Sequence, residues 1–425
     1  MNENLTTDRL RDIVEDSHVN FLVGAGASIE QFDALGDMEN ALSILSAMDT
    51  TAEVKIARAS IYAKFFDGVI VKNRDLLRKP DEAENLLAIY RAFLKSINRI
   101  LLRRRSSLLN KQVNIFTTNV DLVFEVALDQ LGLDSNDGFT GKFNPKFNSG
   151  NFGSLRQRRS LQYENLSEVP TFNLVKLHGS VGWKPDATKD KDGSIGDIFF
   201  DSTLSGVDET ETARNTARAG LVPIESDEKI VVKDEVISIN KGEKGEIVVQ
   251  ENIVTAAAAI EAGTDIERFM NEYEKLAVVN PTKEKFQTTV LNENYYDLFR
   301  IFANEMEKEN SVLFVLGFSF RDEHIRKLVV RAARTNPTLQ VYVFCHTVNQ
   351  RDGMVKLIDE ASIKNGNIVF IVPDPAEEGK PKEELNLKSI TDKYFEKIVP
   401  EAKRKPDQSV EVVISMKDGD DKPKA

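Results

Sequence analysis

Six short apolar runs recur along the chain, and each ends in small or polar residues. They lie in "HVNFLVGAGAS" from position 18, "QVNIFTTNVD" from 112, "TFNLVKLHGS" from 171, "SVLFVLGFSFRDEHI" from 311, "LQVYVFCHT" from 339 and "NIVFIVP" from 367. Each is the length of a strand and too short for a helix. Segments with helical spacing separate them. "TTDRLRDIVEDS" places Leu10, Ile13 and Val14 on one face behind capping-type residues. "NLLAIYRAFLKSINRILLRRR" repeats Leu86, Ile89, Phe93, Ile97 and Ile100 at three- and four-residue steps. "FEVALDQLGL" and "TAAAAIEAGTDIERFMNEYEKL" read as further helices. Near-continuous apolar strands alternating with helices predict an α/β fold. It is a Rossmann-like parallel sheet with helices on both faces, a helical insertion and a C-terminal extension.

The alternation sets the expected organisation. Residues 1–400 are expected to form one α/β unit, with a helical insertion at about 35–105 and a variable polar insertion at about 184–254. The latter is charged, poor in apolar runs, and carries one possible hairpin near its end. It reads as an insertion or a lid. "EEGKPKEE" is a charged linker. Residues 401–425 form an extension in which "SVEVVISM", 409–416, reads as a lone strand needing a partner edge, followed by a polar tail.

Composition narrows the function classes. The chain has 425 residues, 41% hydrophobic and 29% charged, with a net charge of -12. Such a chain offers no broad nucleic-acid face. "LLRRRSS" at 101–107 and "RQRR" at 156–159 are basic clusters that read first as solvated surface. The single cysteine, Cys345, excludes an intrachain disulfide and a four-cysteine zinc site. No run reaches ~18 apolar residues, so no membrane span is expected, and a cytoplasmic location is the default.

Chemistry gathers at the strand ends, where ligands bind on parallel sheets. Gly24, Ala25, Gly26, Ala27 and Ser28 make a short glycine loop suited to close backbone approach of a phosphate. The loop is not a P-loop, because no Lys-Ser or Lys-Thr pair follows. It also matches a dehydrogenase fingerprint poorly. Asn119 follows two threonines in "FTTNVD", and His178 follows the third strand in "KLHGSVGW". His178 is one of four histidines and Trp183 is the only tryptophan. A bare imidazole there is either a proton-transfer group or a hydrogen-bonded strand-end residue. His18 and His346 read as structural, and His324 as surface or ligand-side. Trp183 is either core or a cover for the site.

The ordered set "FLVGAGAS", "FTTNVD", "KLHGSVGW" and "LGFSFRDEHI" resembles the sirtuin superfamily, and within it the bacterial sirtuin-like branch that hydrolyses NAD+. The resemblance covers the sheet-forming parts of residues 15–350. It implies catalysis by Asn119, holding a water or the nicotinamide ribose, and by His178 as general base. It implies NAD+ contacts from Gly24, Ala25, Gly26 and Ser28 at the pyrophosphate, and from Thr118 and Asp121 at the nicotinamide end. Gly317, Ser319 and Asp322 would serve the adenosine end, though Asp322 also suits a helix cap. No metal is implied.

Two departures from the zinc-containing protein deacetylases argue against deacylation. One cysteine cannot build their zinc ribbon. "SIEQFDALGDMEN" also replaces their proline- and arginine-containing segment, leaving Glu30 and Asp33 as the nearby charged residues. In this branch NAD+ hydrolysis commonly serves antiphage defence. The expected partners are copies of the chain itself and a separate trigger, such as a ring-shaped HerA-type ATPase or, with less support, an Argonaute-type protein. The alternatives are a non-catalytic NAD or ADP-ribose sensor, and a deacylase or ADP-ribosyl transferase.

Overall fold

The computed structural model describes residues 5–32, 38–104, 108–159, 166–186, 197–224, 240–241, 247–248, 253–260, 263–278, 293–358, 363–374 and 384–399. The proposed strand at 409–416 and Asp33 lie outside these. Seven parallel strands form the central sheet: β1 (His18–Val23), β2 (Gln112–Thr117), β3 (Ser135–Asn136), β4 (Thr171–Lys176), β5 (Ser311–Leu316), β6 (Gln340–Phe344) and β7 (Ile368–Ile371). Their order is β7-β6-β5-β1-β2-β4-β3. The chain therefore winds outward from β1 in both directions. The switch point lies between β1 and β5, where such sheets open a ligand crevice.

Helices cover both faces. Helix α1 (Thr7–Asp16) is capped by Thr6, whose hydroxyl accepts from Arg9 N at 3.3 Å. Helices α2 (Met38–Ser46), α3 (Ala52–Phe65), α4 (Lys72–Arg78) and α5 (Glu84–Arg103) fill the span between β1 and β2. Helix α5 is the crossover itself: Phe93 packs edge-on to Phe21 of β1 with centroids 5.1 Å apart. Helix α6 (Val123–Leu131) follows β2. Alternate strand residues divide between two cores. Phe21, Val23, Ile115, Leu174 and Phe314 meet α1, α5 and α6. Leu22, Phe116, Val175, Leu313 and Val315 face the opposite side.

Part of the polar 184–254 segment is packed helix. Helix α7 (Ser205–Ala217) buries Val207, Thr210, Ala213 and Ala217 at three- and four-residue steps. These small residues make a helical face without any long apolar run, so a search for such runs passes over it. Arg78 reaches Asp208 at 2.6 Å, Val222 N donates to Ser60 Oγ at 2.9 Å, and Arg214 pairs with Asp67. The "TAAAAIEAGTDIERFMNEYEKL" helix is two helices, α8 (Ile253–Ala258) and α9 (Thr264–Tyr273), with extended Gly263 as the N-cap of the second. Tyr273 packs on Tyr62 of α3, centroids 4.9 Å apart. A short pairing of Asn240–Lys241 with Ile247–Val248 supplies the hairpin.

Helices α10 (Glu293–Glu307), α11 (Glu323–Thr335) and α12 (Val348–Ile358) build the second face. Among the described residues, no helix is long and apolar enough to cross a membrane. Arg156 and Arg158 are exposed and pair with Asp134, as a solvated cluster should. Arg104 differs from that expectation. It is buried and donates to Val14 O at 2.7 Å, Asn110 O at 2.9 Å and Ser17 O. Its guanidinium satisfies carbonyls at the end of α1 that no backbone amide reaches.

A polar ladder crosses the sheet interior. Asn173 Nδ2 donates to Asn114 Oδ1 at 2.8 Å, Asn114 Nδ2 to Asn20 Oδ1 at 2.8 Å, and Asn20 Nδ2 to Ser311 Oγ at 2.9 Å. The three asparagines are in register across β1, β2 and β4. A one-residue slip of any strand would break the ladder and turn every side chain to the wrong face. Asn114→Ala removes a donor and an acceptor at once. It should lower the unfolding free energy by about 2 kcal/mol or more in urea denaturation, since buried partners left unsatisfied cost ~1–3 kcal/mol each. An unchanged midpoint would show that the ladder contributes nothing to register.

Candidate active site

The register brings the polar strand ends level. Val23 pairs with Thr117 and Leu316, and Thr117 pairs with Lys176. Asn119 and His178 each lie five residues beyond their ladder asparagine, 114 to 119 and 173 to 178, on neighbouring strands. Backbone bonds continue past the strands: Leu177 N donates to Thr117 O at 2.9 Å, and Val181 N to Val120 O at 3.0 Å. Both side chains are buried.

The glycine loop leaves β1 as a three-residue 3-10 turn, Ala25–Ala27, and not as the start of a helix. Gly24 N donates to Leu316 O at 3.0 Å, Gly26 N to Gly317 O at 2.9 Å, Ala27 N to Gly24 O at 3.0 Å and Ser28 N to Ala25 O at 3.1 Å. These amides are committed within the protein, and among the described residues through Phe32 no α-helix N-terminus follows to cradle a phosphate. The glycines answer a steric demand. Cβ atoms on Gly24 and Gly26 would lie 2.7 Å and 2.8 Å from Gly317 O. Gly317 has φ +61, and a Cβ there would run into Ala27 N. The two turns therefore close on each other at the switch point, with Ala25, Gly26, Gly317 and Ser319 exposed beside it.

Ser28 points inward. Its Oγ is 2.6 Å from Tyr90 OH and accepts from Asn119 Nδ2 at 3.4 Å. Asn119 is held from the other side as well, its N–H donating to Thr117 Oγ1 at 3.0 Å, while Thr117 Oγ1 donates to Val23 O at 2.9 Å. Its Oδ1 is buried without a protein hydrogen-bond partner. A buried acceptor without a protein partner is one that a ligand or water would satisfy. Thr118 is half-buried next to it, its N–H donating to Val23 O at 3.2 Å.

Beneath Asn119 lies a buried charged group. Lys176 Nζ stands 3.1 Å from Glu125 Oε1 and donates to Asp121 O. Burial pushes the carboxyls of Asp121 and Glu125 above the usual range. For Asp121 the Lys176 ammonium, the Val123 amide and the Ser28 and Asn119 side chains act in the opposite sense. Burial also holds Tyr90 well above its ordinary value, so its hydroxyl keeps its proton.

Asp322 connects the far side of the sheet to His178. Its Oδ1 caps α11, accepting from His324 N at 3.0 Å and Ile325 N at 3.2 Å. Its Oδ2 lies 3.1 Å from His178 Nε2. β5 and β4 are separated by β1 and β2, about 14 Å at the usual strand spacing. The Gly317–Asp322 turn therefore crosses above the glycine loop and the Asn119 strand end. Phe320 is buried in this turn at φ +59, and Arg326 Nη1 donates to its carbonyl at 2.8 Å. A bulky residue rarely adopts that backbone conformation, and here the turn imposes it.

The remaining candidates are placed plainly. Trp183 is core, packed against Phe147 and Phe139 at 5.1 and 5.7 Å between ring centroids. His324 is half-buried in the first turn of α11. His18 opens β1, and His346 Nδ1 lies 3.4 Å from Leu385 O. Cys345 is buried, and its thiol is pushed up to about 12. Among the described residues, no group of three His, Cys, Asp or Glu side chains could hold a metal ion. A surface cavity of about 540 Å³, lined by Arg91, Lys95, Asn98, Arg99 and Glu396 among others, shares no residue with the site.

The parallel sheet and its strand order are those of Rossmann-like nucleotide-binding folds, the core typical of NAD-binding enzymes. A scan against protein-family models finds no match to this chain, and a search of curated proteins finds none either.

The raised Asp121 carboxyl gives a signed prediction. Its charged form is disfavoured in the folded state, so the penalty is full above its folded pKa and fades as pH falls through that value toward the unfolded one. Asn in its place retains an acceptor for Val123 N and leaves Glu125 to Lys176. Asp121→Asn should therefore be more stable than wild type at pH 8. The gap should narrow on acidification in thermal melts. A pH-independent gap would contradict the assignment.

Proposed function

We propose that this chain is an NAD+ glycohydrolase that cleaves the nicotinamide–ribose bond to give nicotinamide and ADP-ribose. The observation that carries the reading is the pairing of Asn119 and His178 at adjacent strand ends. One offers a buried acceptor without a protein partner, and the other an imidazole 3.1 Å from a buried carboxylate. A protein that only binds the dinucleotide needs neither. The four strand-end motifs support the same reading through their resemblance to sirtuin-like NAD hydrolases.

The C–N bond breaks with its electron pair going to the nicotinamide nitrogen. That group leaves neutral because the pyridinium was already cationic. Positive charge grows on the ribose ring, and water adds to the anomeric carbon. Asn119 Oδ1 accepts from this water or from a ribose hydroxyl and fixes its position. His178 takes the proton released as the new C–O bond forms. Nε2 lies 3.1 Å from Asp322 Oδ2, so in this reading the carboxylate stands beside one ring nitrogen and Nδ1 is the one left to act as the base. In this reading Ala25 and Gly26 meet the pyrophosphate on the exposed side of the loop with Gly24 buried behind them, Thr118 and Asp121 border the nicotinamide ribose, and Gly317 and Ser319 lie toward adenosine.

By the same resemblance the enzyme acts in antiphage defence, depleting NAD+ as a homo-oligomer released by a separate ring-shaped ATPase of the HerA type. Chromatography of NAD+ incubated with the chain, alone and with such a partner, tests the proposal. Stoichiometric nicotinamide and ADP-ribose are expected. His178→Ala and Asn119→Ala should each lower kcat by about 10²- to 10⁴-fold, the usual range for loss of a proton-transfer or positioning group. Asp322→Asn keeps the helix cap and should cost about tenfold or more in kcat with NAD+ binding retained. No turnover by the assembled complex would refute the hydrolase, and full turnover by His178→Ala would remove the role given to that residue.

A further inference from the structure

We infer that Tyr90, on the crossover helix α5, is a positioning residue that acts through Ser28 to fix which way the Asn119 amide faces. The inference deepens the hydrolase reading and rests on it for its kinetic consequences.

An asparagine amide has two nearly isosteric ends, and only its surroundings decide which end meets a ligand. Here Ser28 Oγ makes the decision together with the Asp121 carboxylate, which also takes a hydrogen bond from the Asn119 side chain. Ser28 Oγ receives Asn119 Nδ2 at 3.4 Å and stands 2.6 Å from Tyr90 OH, with all three residues buried. Either hydroxyl can donate across this contact; because Ser28 also hydrogen-bonds the Asp121 carboxylate, which only accepts, Tyr90 is taken as the donor to Ser28 Oγ. The serine proton is then free to turn toward the neighbouring Asp121 carboxylate. With its hydroxyl proton spent in that direction, Ser28 faces Asn119 as an acceptor. Only the NH2 end of Asn119 can satisfy an acceptor, so Oδ1 is turned to the open side. A flipped amide would set oxygen against oxygen at Ser28 and present a donor to the reacting water.

Tyr90 thus sets the sense of the Ser28 hydroxyl, which acts on the amide together with Asp121. As a neutral phenol it can donate at every physiological pH. Its ring packs edge-on to Phe124 with centroids 4.7 Å apart, so the hydroxyl can be removed without disturbing the ring. The geometry assigns Ser28 to the same chain, in place of the pyrophosphate contact that its position in the glycine loop suggests.

Two variants test this, Tyr90→Phe and Ser28→Ala, in the full-length protein. The first readout is the side-chain amide signal of Asn119 in 15N–1H spectra, identified by its loss in Asn119→Asp. It should shift or broaden in both variants. The second readout is kinetic. kcat should fall about tenfold or more in each variant, with KM changed less than about twofold, because positioning and not binding is lost. In added methanol the ratio of methyl-ADP-ribose to ADP-ribose should also change, since a loosened Asn119 selects water less strictly. Ser28→Ala alone decides the matter if Tyr90→Phe does not fold. An Asn119 signal unchanged in folded variants would overturn the assignment, as would unchanged kcat and product ratio. If wild-type protein leaves NAD+ intact, the hydrolase reading fails while the amide signal still decides this one.

Discussion

The hydrogen-bonded run from Asn173 through Asn114 and Asn20 to Ser311 crosses four neighbouring strands inside the sheet. Apolar side chains could pack with similar energy in more than one register. Amide groups in a buried interior cannot, because a shifted ladder leaves donors and acceptors unpaired. The run therefore selects the alignment in which Val23, Thr117, Lys176 and Leu316 end together. Asn119 and His178 become neighbours as a consequence, although 59 residues separate them in the sequence (178 less 119).

A second constraint acts at the switch point. The glycine loop and the turn after β5 approach each other so closely that neither side tolerates a Cβ. That contact carries the second turn over the strand ends and delivers Asp322 to His178. The glycines most suggestive of phosphate binding in the sequence thus have a structural duty first. Their amides are used between the two turns, and what remains for a ligand is the exposed backbone face at Ala25 and Gly26.

Six of the seven strands of the sheet were legible as apolar runs of strand length, while the two-residue polar edge strand Ser135–Asn136 was not; the candidate site was legible because every motif terminates one of those runs. The ladder was legible too, had the runs been aligned on their ends: "HVNFLV", "QVNIFT" and "TFNLVK" each carry asparagine third. Lys176 stands between Val175 and Leu177 in a buried strand, which requires a partner, but nothing in the sequence points to Glu125. Tyr90 looks like any aromatic on an apolar helix face, and its hydroxyl bond to Ser28 exists only in three dimensions. The Asp322 contact with His178 was hidden for the same reason, since it spans two intervening strands. Arg104 misled through composition: three consecutive arginines read as surface, and one of them caps a helix inside the fold.

The central claim is that one ligand sits between Asn119 and His178 beneath the Gly317–Asp322 turn. The structure of the protein with ADP-ribose bound tests it most directly. The account predicts the distal ribose of that ligand at those two side chains, with Asn119 Oδ1 accepting from a ribose hydroxyl or a bound water and the Asp322 contact to His178 retained. ADP-ribose bound elsewhere, for instance in the cavity beside Arg91 and Arg99 with the strand ends untouched, would contradict it.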